Sequence, residues 1–259
     1  MQTRIALGIE YNGQDFYGWQ AQTNLVTIQG SLETALSQIA NEPIKLFCAG
    51  RTDAGVHATG QVAHFDTCAS RQMAAWTFGT NALLPSNIAV YWAQHVDSDF
   101  HARYAATSRR YRYFIYNYPA RPAILAGRVA WHYGPLDIAS MQQAGQYLIG
   151  EQDFSAFRSA QCEAKTPMRN VQSLSVTRSN DYIIIEVTAN AFLHHMVRNI
   201  VGVLLEVGSG AKEPEWVRAV LESRDRRKAA ATADAAGLYL IKVDYPANYA
   251  FPERNAIFL

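Results

Sequence analysis

Apolar and polar residues alternate from Arg4 to Tyr11, the period of a half-buried strand, and Asn12-Gly13 closes the run as a turn. The spacing of Ile28, Leu32, Ala35, Leu36 and Ile39 predicts a helix over 28–40, capped by Thr27. Beyond Pro43 the apolar run predicts a strand at 45–49, with a return strand at 61–65. Residues 71–83 read as a helix ending before Pro85, and 89–95 as a further strand.

A second set of elements follows. Aromatic content marks 110–118 as a strand. Residues 138–149 form an amphipathic helix ending at Gly150, and 171–178 with 182–189 form a hairpin around Ser179-Asn180-Asp181. A helix is predicted over 192–207, stopped by Gly208 and Gly210, then a short helix at 216–221 and a last strand at 238–243. Adjacent hairpins among mixed elements indicate an α+β class with mainly antiparallel strands. The pattern divides near 97–108, giving an N-terminal half at 1–104 and a C-terminal half at 105–259.

The composition fits a globular enzyme: 259 residues, 49% hydrophobic and 17% charged. Runs such as Ile183–Ile185 are too short to span a bilayer, and the Met1-Gln2-Thr3-Arg4 start lacks the apolar stretch of a signal peptide. Cys48, Cys68 and Cys162 form no Cys-x-x-Cys pair, which points to free thiols and a cytoplasmic location. Net charge is only +1, yet the distribution is uneven. No Asp or Glu occurs from His101 to Leu136, where Arg103, Arg109, Arg110, Arg112, Arg121 and Arg128 interleave with tyrosines. Arginine fits phosphate and aromatic faces stack on bases, so this window reads as an RNA or phosphate surface, against the alternative of a solvated charged face. A second basic cluster is Arg224, Arg226, Arg227 and Lys228.

The chemistry concentrates in Ala49-Gly50-Arg51-Thr52-Asp53-Ala54-Gly55-Val56-His57-Ala58-Thr59-Gly60-Gln61. A glycine-flanked bend after a strand displays one side chain at a fixed place and leaves room beside it. Arg-x-Asp in a turn also serves as a surface ion pair, and the tripeptide alone does not separate the two readings. Arg198 lies at the edge of the apolar arc of the predicted 192–207 helix, where it either snorkels to solvent or neutralises an anion. Tyr111 sits where strand tyrosines commonly pack. No metal site is expected: His57 and His64 are seven apart across a glycine turn, and His194 and His195 are helix neighbours pointing in different directions. No dinucleotide fingerprint or P-loop is present, and no cofactor is expected.

Together with Ser108-Arg109-Arg110-Tyr111-Arg112-Tyr113, Gly150-Glu151-Gln152-Asp153-Phe154, Arg169-Asn170-Val171, the 191–202 string, Ala229–Ala233 and Gly237–Leu240, the chain resembles the tRNA pseudouridine synthase A family. The resemblance implies two ferredoxin-like or RRM-like halves sharing a continuous, mainly antiparallel sheet with helices on one face. It implies a homodimer that converts uridine to pseudouridine at positions 38, 39 and 40 of the tRNA anticodon arm. By the same resemblance Asp53 is the nucleophile, Arg51 takes the space of the flipped base, and Arg198 pairs with the catalytic carboxylate. Tyr111 packs on the uracil, Leu238 lines the pocket, and Phe100, His101, Ala102, Arg103 and Tyr104 form a tRNA-contacting stretch. Asn117-Tyr118-Pro119-Ala120 has no base before Arg121, which weakens a phosphate contact there. Two rivals are a non-catalytic RNA-binding module, which would tolerate loss of Asp53, and a hydrolase or phosphotransferase, which would need a phosphate cradle or metal.

Overall fold

A computed structural model describes residues 2–252; residue 1 and residues 253–259, the outer ends of the two expected halves, lie outside them. In chain order come β1 (Thr3–Tyr11), α1 (Ile28–Ala40), β2 (Phe47–Cys48), β3 (His57–Thr67), α2 (Thr80–Leu83) and β4 (Ile88–Val96). Next are β5 (Ser108–Asn117), β6 (Ala130–His132), α3 (Ile138–Gln146), β7 (Gly150–Asp153), β8 (Met168–Ser179) and β9 (Tyr182–Ala189). The series ends with α4 (Met196–Gly208), α5 (Glu215–Ser223) and β10 (Leu238–Asp244). The protein is mixed α+β with mainly antiparallel strands, as the pattern predicts. It divides into two compact units: the chain up to Arg109 together with the segment from Tyr239 onward, and Arg110–Leu238. The expected halves follow chain order, whereas by contacts the last strand groups with the first unit.

In the first unit the strands lie in the order β4-β1-β3-β10, with β2 on β3. β1 runs antiparallel to β3 and β4, and Ile5 faces both Phe65 and His95 in register. β10 joins β3 in parallel, Tyr239 opposite His57. Residues 5–9 of β1 are all buried, so both faces of this strand are covered rather than one. α1 contributes Ile28, Leu32, Ala35 and Leu36 to the core, and the Gly30 amide donates to the Thr27 hydroxyl as the cap requires.

Some predicted boundaries moved for local reasons. Only Phe47 and Cys48 of the 45–49 strand pair with β3, because α1 side chains satisfy the backbone just before them: Ile44 N donates to Ser37 Oγ and Leu46 N to Glu33 Oε1. Within 71–83 a π-turn at Ala75–Gly79 precedes α2, around the buried Trp76, whose ring meets Phe65 edge-on. α3 stops at Gln146, three residues early, where the Gln152 amide donates to the carbonyls of Tyr147 and Ile149.

The largest correction concerns the 192–207 helix. α4 begins only at Met196, because His195 adopts a left-handed backbone (φ 63°). Ahead of it, the His194 amide donates to Cys162 Sγ and its carbonyl accepts from Ser159 N. His194 and His195 therefore lie off the helix with their rings 4.1 Å apart, not pointing apart on it, and Arg198 occupies the first helical turn.

In the second unit the order is β5-β9-β8-β7, with β6 beside β5 in parallel. β8 and β9 form the predicted hairpin, and β7 adds antiparallel to β8. At the core, α4, with Ile200, Val201, Val203 and Leu204 fully buried, packs against α3, which packs in turn on β8.

Gly60 in β3 has no room for a side chain: a Cβ there would stand 2.1 Å from the Ile241 carbonyl oxygen of β10. Gly60→Ala is expected to lower unfolding free energy by about 1–3 kcal/mol through overpacking, read from urea denaturation. An unchanged midpoint would show that β10 is not held against β3 at this point.

Candidate active site

β2 and β3 carry the loop that displays Asp53. Ala54-Gly55 forms its turn, Gly55 at φ 77°, and Val56 N donates to the Asp53 carbonyl at 3.1 Å. Around it Arg51 is exposed, Thr52 buried and Asp53 half-buried. The backbone on either side is held by Thr52 and Gln61 of the same string, by Tyr11 of β1, and by Trp19, which the sequence pattern did not single out. Thr52 Oγ1 and Tyr11 Oη share a buried hydrogen bond of 2.8 Å, and Gln61 Nε2 donates to the Gly50 carbonyl at 2.7 Å. Trp19 N donates to the Thr52 carbonyl at 2.9 Å.

The segment after β1 packs against the loop backbone to backbone. A Cβ on Gly18 (φ 83°) would lie 2.8 Å from the Thr52 carbonyl oxygen, and one on Gly13 would lie 1.9 Å from that of Val56. Gly13 N also donates to His57 Nδ1 at 3.0 Å, so that imidazole accepts there and stacks on Tyr239 at 4.5 Å. The signal in the sequence was two glycines among Phe16, Tyr17 and Trp19, in a stretch with no periodicity.

The predicted tRNA-contacting stretch lies in the same unit and splits by burial. Phe100 and Ala102 are fully buried, whereas Arg103 and Tyr104 are exposed, Tyr104 by 77%. His101 is half-buried, its Nδ1 accepting from the amides of Arg103 and Tyr104 at 3.1 and 3.4 Å. His64 Nδ1 accepts from Ala102 N at 3.2 Å. Tyr245 Oη donates to the Ala102 carbonyl at 2.7 Å, and the Phe100 ring contacts Tyr245, Tyr249 and Phe251. The buried members thus hold the backbone from which the exposed pair projects.

In the second unit Tyr111 is buried on β5, its ring edge-on to Phe192 at 5.0 Å. Arg198 is half-buried; its Nε donates to the Ala233 carbonyl at 2.8 Å, while Ala233 N donates back to the Arg198 carbonyl. The chain around Ala233 is laid across α4. Gly202 permits it, since a Cβ there would stand 2.0 Å from the Ala231 carbonyl oxygen. Asn199 anchors it further: Nδ2 donates to the Phe157 carbonyl, and Oδ1 accepts from Thr232 Oγ1 at 2.7 Å and from Arg226 at 3.1 Å. Arg226, read in the sequence as part of a basic cluster, is thus a structural brace. Leu238 is buried.

The family described as tRNA pseudouridine synthase matches residues 8–105 and 144–246. The tRNA pseudouridine synthase A of Tolumonas auensis is 59% identical over 250 residues, covering 96% of each chain. The chain belongs to the tRNA pseudouridine synthase family. The enzymes of that name from Vibrio cholerae and Klebsiella pneumoniae are each 58% identical, over 96% of this chain and 95% and 92% of theirs. Similarity to the solved archaeal box H/ACA sRNP Nop10-Cbf5 complex is distant: 11% identity over 89% of this chain and 61% of that one, with a TM-score of 0.37. As a pseudouridine synthase, the protein is an isomerase that converts uridine to pseudouridine in tRNA.

For an RNA-modifying enzyme the placement of cations matters, and the acid-free window of sequence is not acid-free in space. Glu186 on β9 pairs with Arg112 at 2.6 Å and with Arg110 at 3.8 Å. Arg109 is buried. Arg103, Arg121 and Arg128 remain exposed to solvent.

Burial, with the nearby charges of His101 and Arg4, lowers His64 from 6.5 to about 4, and burial lowers His101 as well. An imidazole depressed on folding stays neutral while the unfolded chain takes up a proton. Stability is therefore expected to be complete above the unfolded value near 6.5 and to fall as pH drops toward about 4. His64→Asn keeps an acceptor for Ala102 N and removes the titration. Urea midpoints across that window are expected to flatten in this synthase variant, and an undiminished pH slope would refute the assignment.

Proposed function

We propose that Asp53 is the nucleophile with which the synthase acts on uridines 38, 39 and 40 of the tRNA anticodon stem-loop. The observation that carries this reading is the loop itself: a half-buried aspartate on a backbone held on both sides by buried or part-buried hydrogen bonds and side-chain-free glycine contacts. Such rigidity is what a reacting group needs, since misplacement by an ångström costs up to about 10²-fold in rate.

The reaction breaks the N1–C1′ bond and forms C5–C1′, with the C5 proton lost and N1 protonated. No redox step or donor group is required. A carboxylate serves either by attacking the nucleoside or by stabilising the departing base. A stacked uridine is out of reach, so the reading includes base flipping, which costs roughly a few kcal/mol of unstacking. Exposed Arg51, two residues from Asp53, is suited to occupy the vacated space. Tyr111 offers a ring face to uracil, Leu238 an apolar wall, and Arg198 cationic support for the carboxylate. Arg103 and Tyr104 supply a phosphate contact and a stacking platform, their rings and guanidinium 5.9 Å apart. The same reading includes a homodimer working in the cytoplasm.

Asp53→Asn preserves volume and removes the charge. It is expected to reduce pseudouridine formation on an unmodified transcript by on the order of 10⁴-fold or more while tRNA still binds. Mapping at nucleotide resolution checks both parts: retained turnover refutes the nucleophile, and modification outside 38–40 refutes the site.

Arg103→Ala is expected to weaken tRNA binding and reduce the salt slope by about one. Arg112→Ala, in contrast, is expected to leave the slope nearly unchanged, because Glu186 already neutralises that guanidinium. Equal slopes in the two variants would place the phosphate surface elsewhere.

A further inference from the structure

Arg109 was read in the sequence with the phosphate-binding arginines, but its side chain is turned into the protein. It is 7% exposed, and burying a guanidinium is costly unless its donors are satisfied. The donors reach three backbone carbonyls of the first unit. Nε and one terminal nitrogen donate to Ala49 O at 3.3 and 3.0 Å. That same terminal nitrogen donates to Arg103 O at 2.5 Å, and the other donates to Ala106 O at 3.1 Å.

These acceptors belong to two functional segments. Ala49 opens the Asp53 loop; its amide donates to Val62 O at 2.8 Å, so Arg109 completes its anchoring. Arg103 projects the exposed side chain assigned above to RNA, and its amide is held by His101 Nδ1. Arg109 is itself held in place by its neighbours: Ser108 Oγ hydrogen-bonds the Asp244 carboxylate, and Thr107 N donates to the Asp244 carbonyl at 2.8 Å.

We propose that Arg109 is a positioning residue for the isomerisation: its planar fork sets the spacing between the RNA-contacting segment at Arg103 and the start of the Asp53 loop at Ala49. This rests on the reading of Asp53 and Arg103 given under Proposed function. A lysine carries the charge but presents a single nitrogen on a flexible stem, so it cannot hold three carbonyls in one plane.

The test uses the full-length protein as Arg109→Lys and Arg109→Gln, with an unmodified tRNA transcript. The single-turnover rate at saturating enzyme, the Kd with its salt slope, and the melting temperature are measured together. The expected result is a folded variant whose saturating rate falls by on the order of ten- to a hundredfold, with a weaker Kd and an unchanged salt slope. A loss confined to Kd and salt slope would make Arg109 a phosphate contact and overturn the proposal. So would an unchanged rate in a folded variant, or failure of both variants to fold, which would assign the residue to stability alone. Because every variant retains Asp53, these outcomes are independent of the Asp53→Asn result.

Discussion

Close backbone packing and side-chain hydrogen bonds together hold the Asp53 loop in place. Gly13 and Gly18 let one stretch of main chain lie directly on the loop, at distances that any side chain would prevent. Beneath, Tyr11 Oη bonds Thr52 Oγ1 and accepts from Gln61 Nε2, which also donates to the loop backbone at Gly50. A buried polar group left without a partner costs about 1–3 kcal/mol, so each of these bonds resists displacement of the loop. The backbone that carries Asp53 is thereby fixed in place.

The second unit applies the same device to a cation. Arg198 stands in the first turn of α4, and its Nε and carbonyl both engage Ala233. The segment it engages is itself tied down through Asn199, Thr232 and Arg226, and passes over α4 at Gly202. In both units a glycine without room for a Cβ and a side-chain hydrogen-bond network hold the backbone that bears a charged residue. This is a general way to limit the reorganisation that a charged site would otherwise undergo.

Much of this was legible beforehand, and the losses have physical causes. Long periodic elements were read well: β1, α1, the β8–β9 hairpin and β10 lie within a residue or a few of their predicted bounds, because their hydrophobic period and caps are strong local signals. The sequence pattern extends α4 backwards because Phe192 and Leu193 continue its apolar arc, while the left-handed turn at His195 follows His194, which is held by Cys162 and Ser159, thirty or more residues away. The arginines of β5 could not be sorted from sequence, since one is buried on carbonyls and two face Glu186 across the sheet. The Asp53 string is visible from its glycines; the supports under it come from Gly13 and Gly18, which carry no periodic signal, and from the hydroxyl of Tyr11, whose partner the β1 alternation does not specify.

The parallel seat of β10 beside β3 has a consequence for how the chain is made. On a ribosome the first unit emerges early, yet the His57–Ala58 end of β3, beyond the stretch that β2 pairs, waits for Tyr239 and Leu240 to be synthesised. Tyr245, Tyr249 and Phe251, which enclose Phe100, arrive later still. A nascent chain therefore holds the 100–104 segment only through Arg4, His64 and Arg109 at first, and completes its enclosure only as synthesis closes.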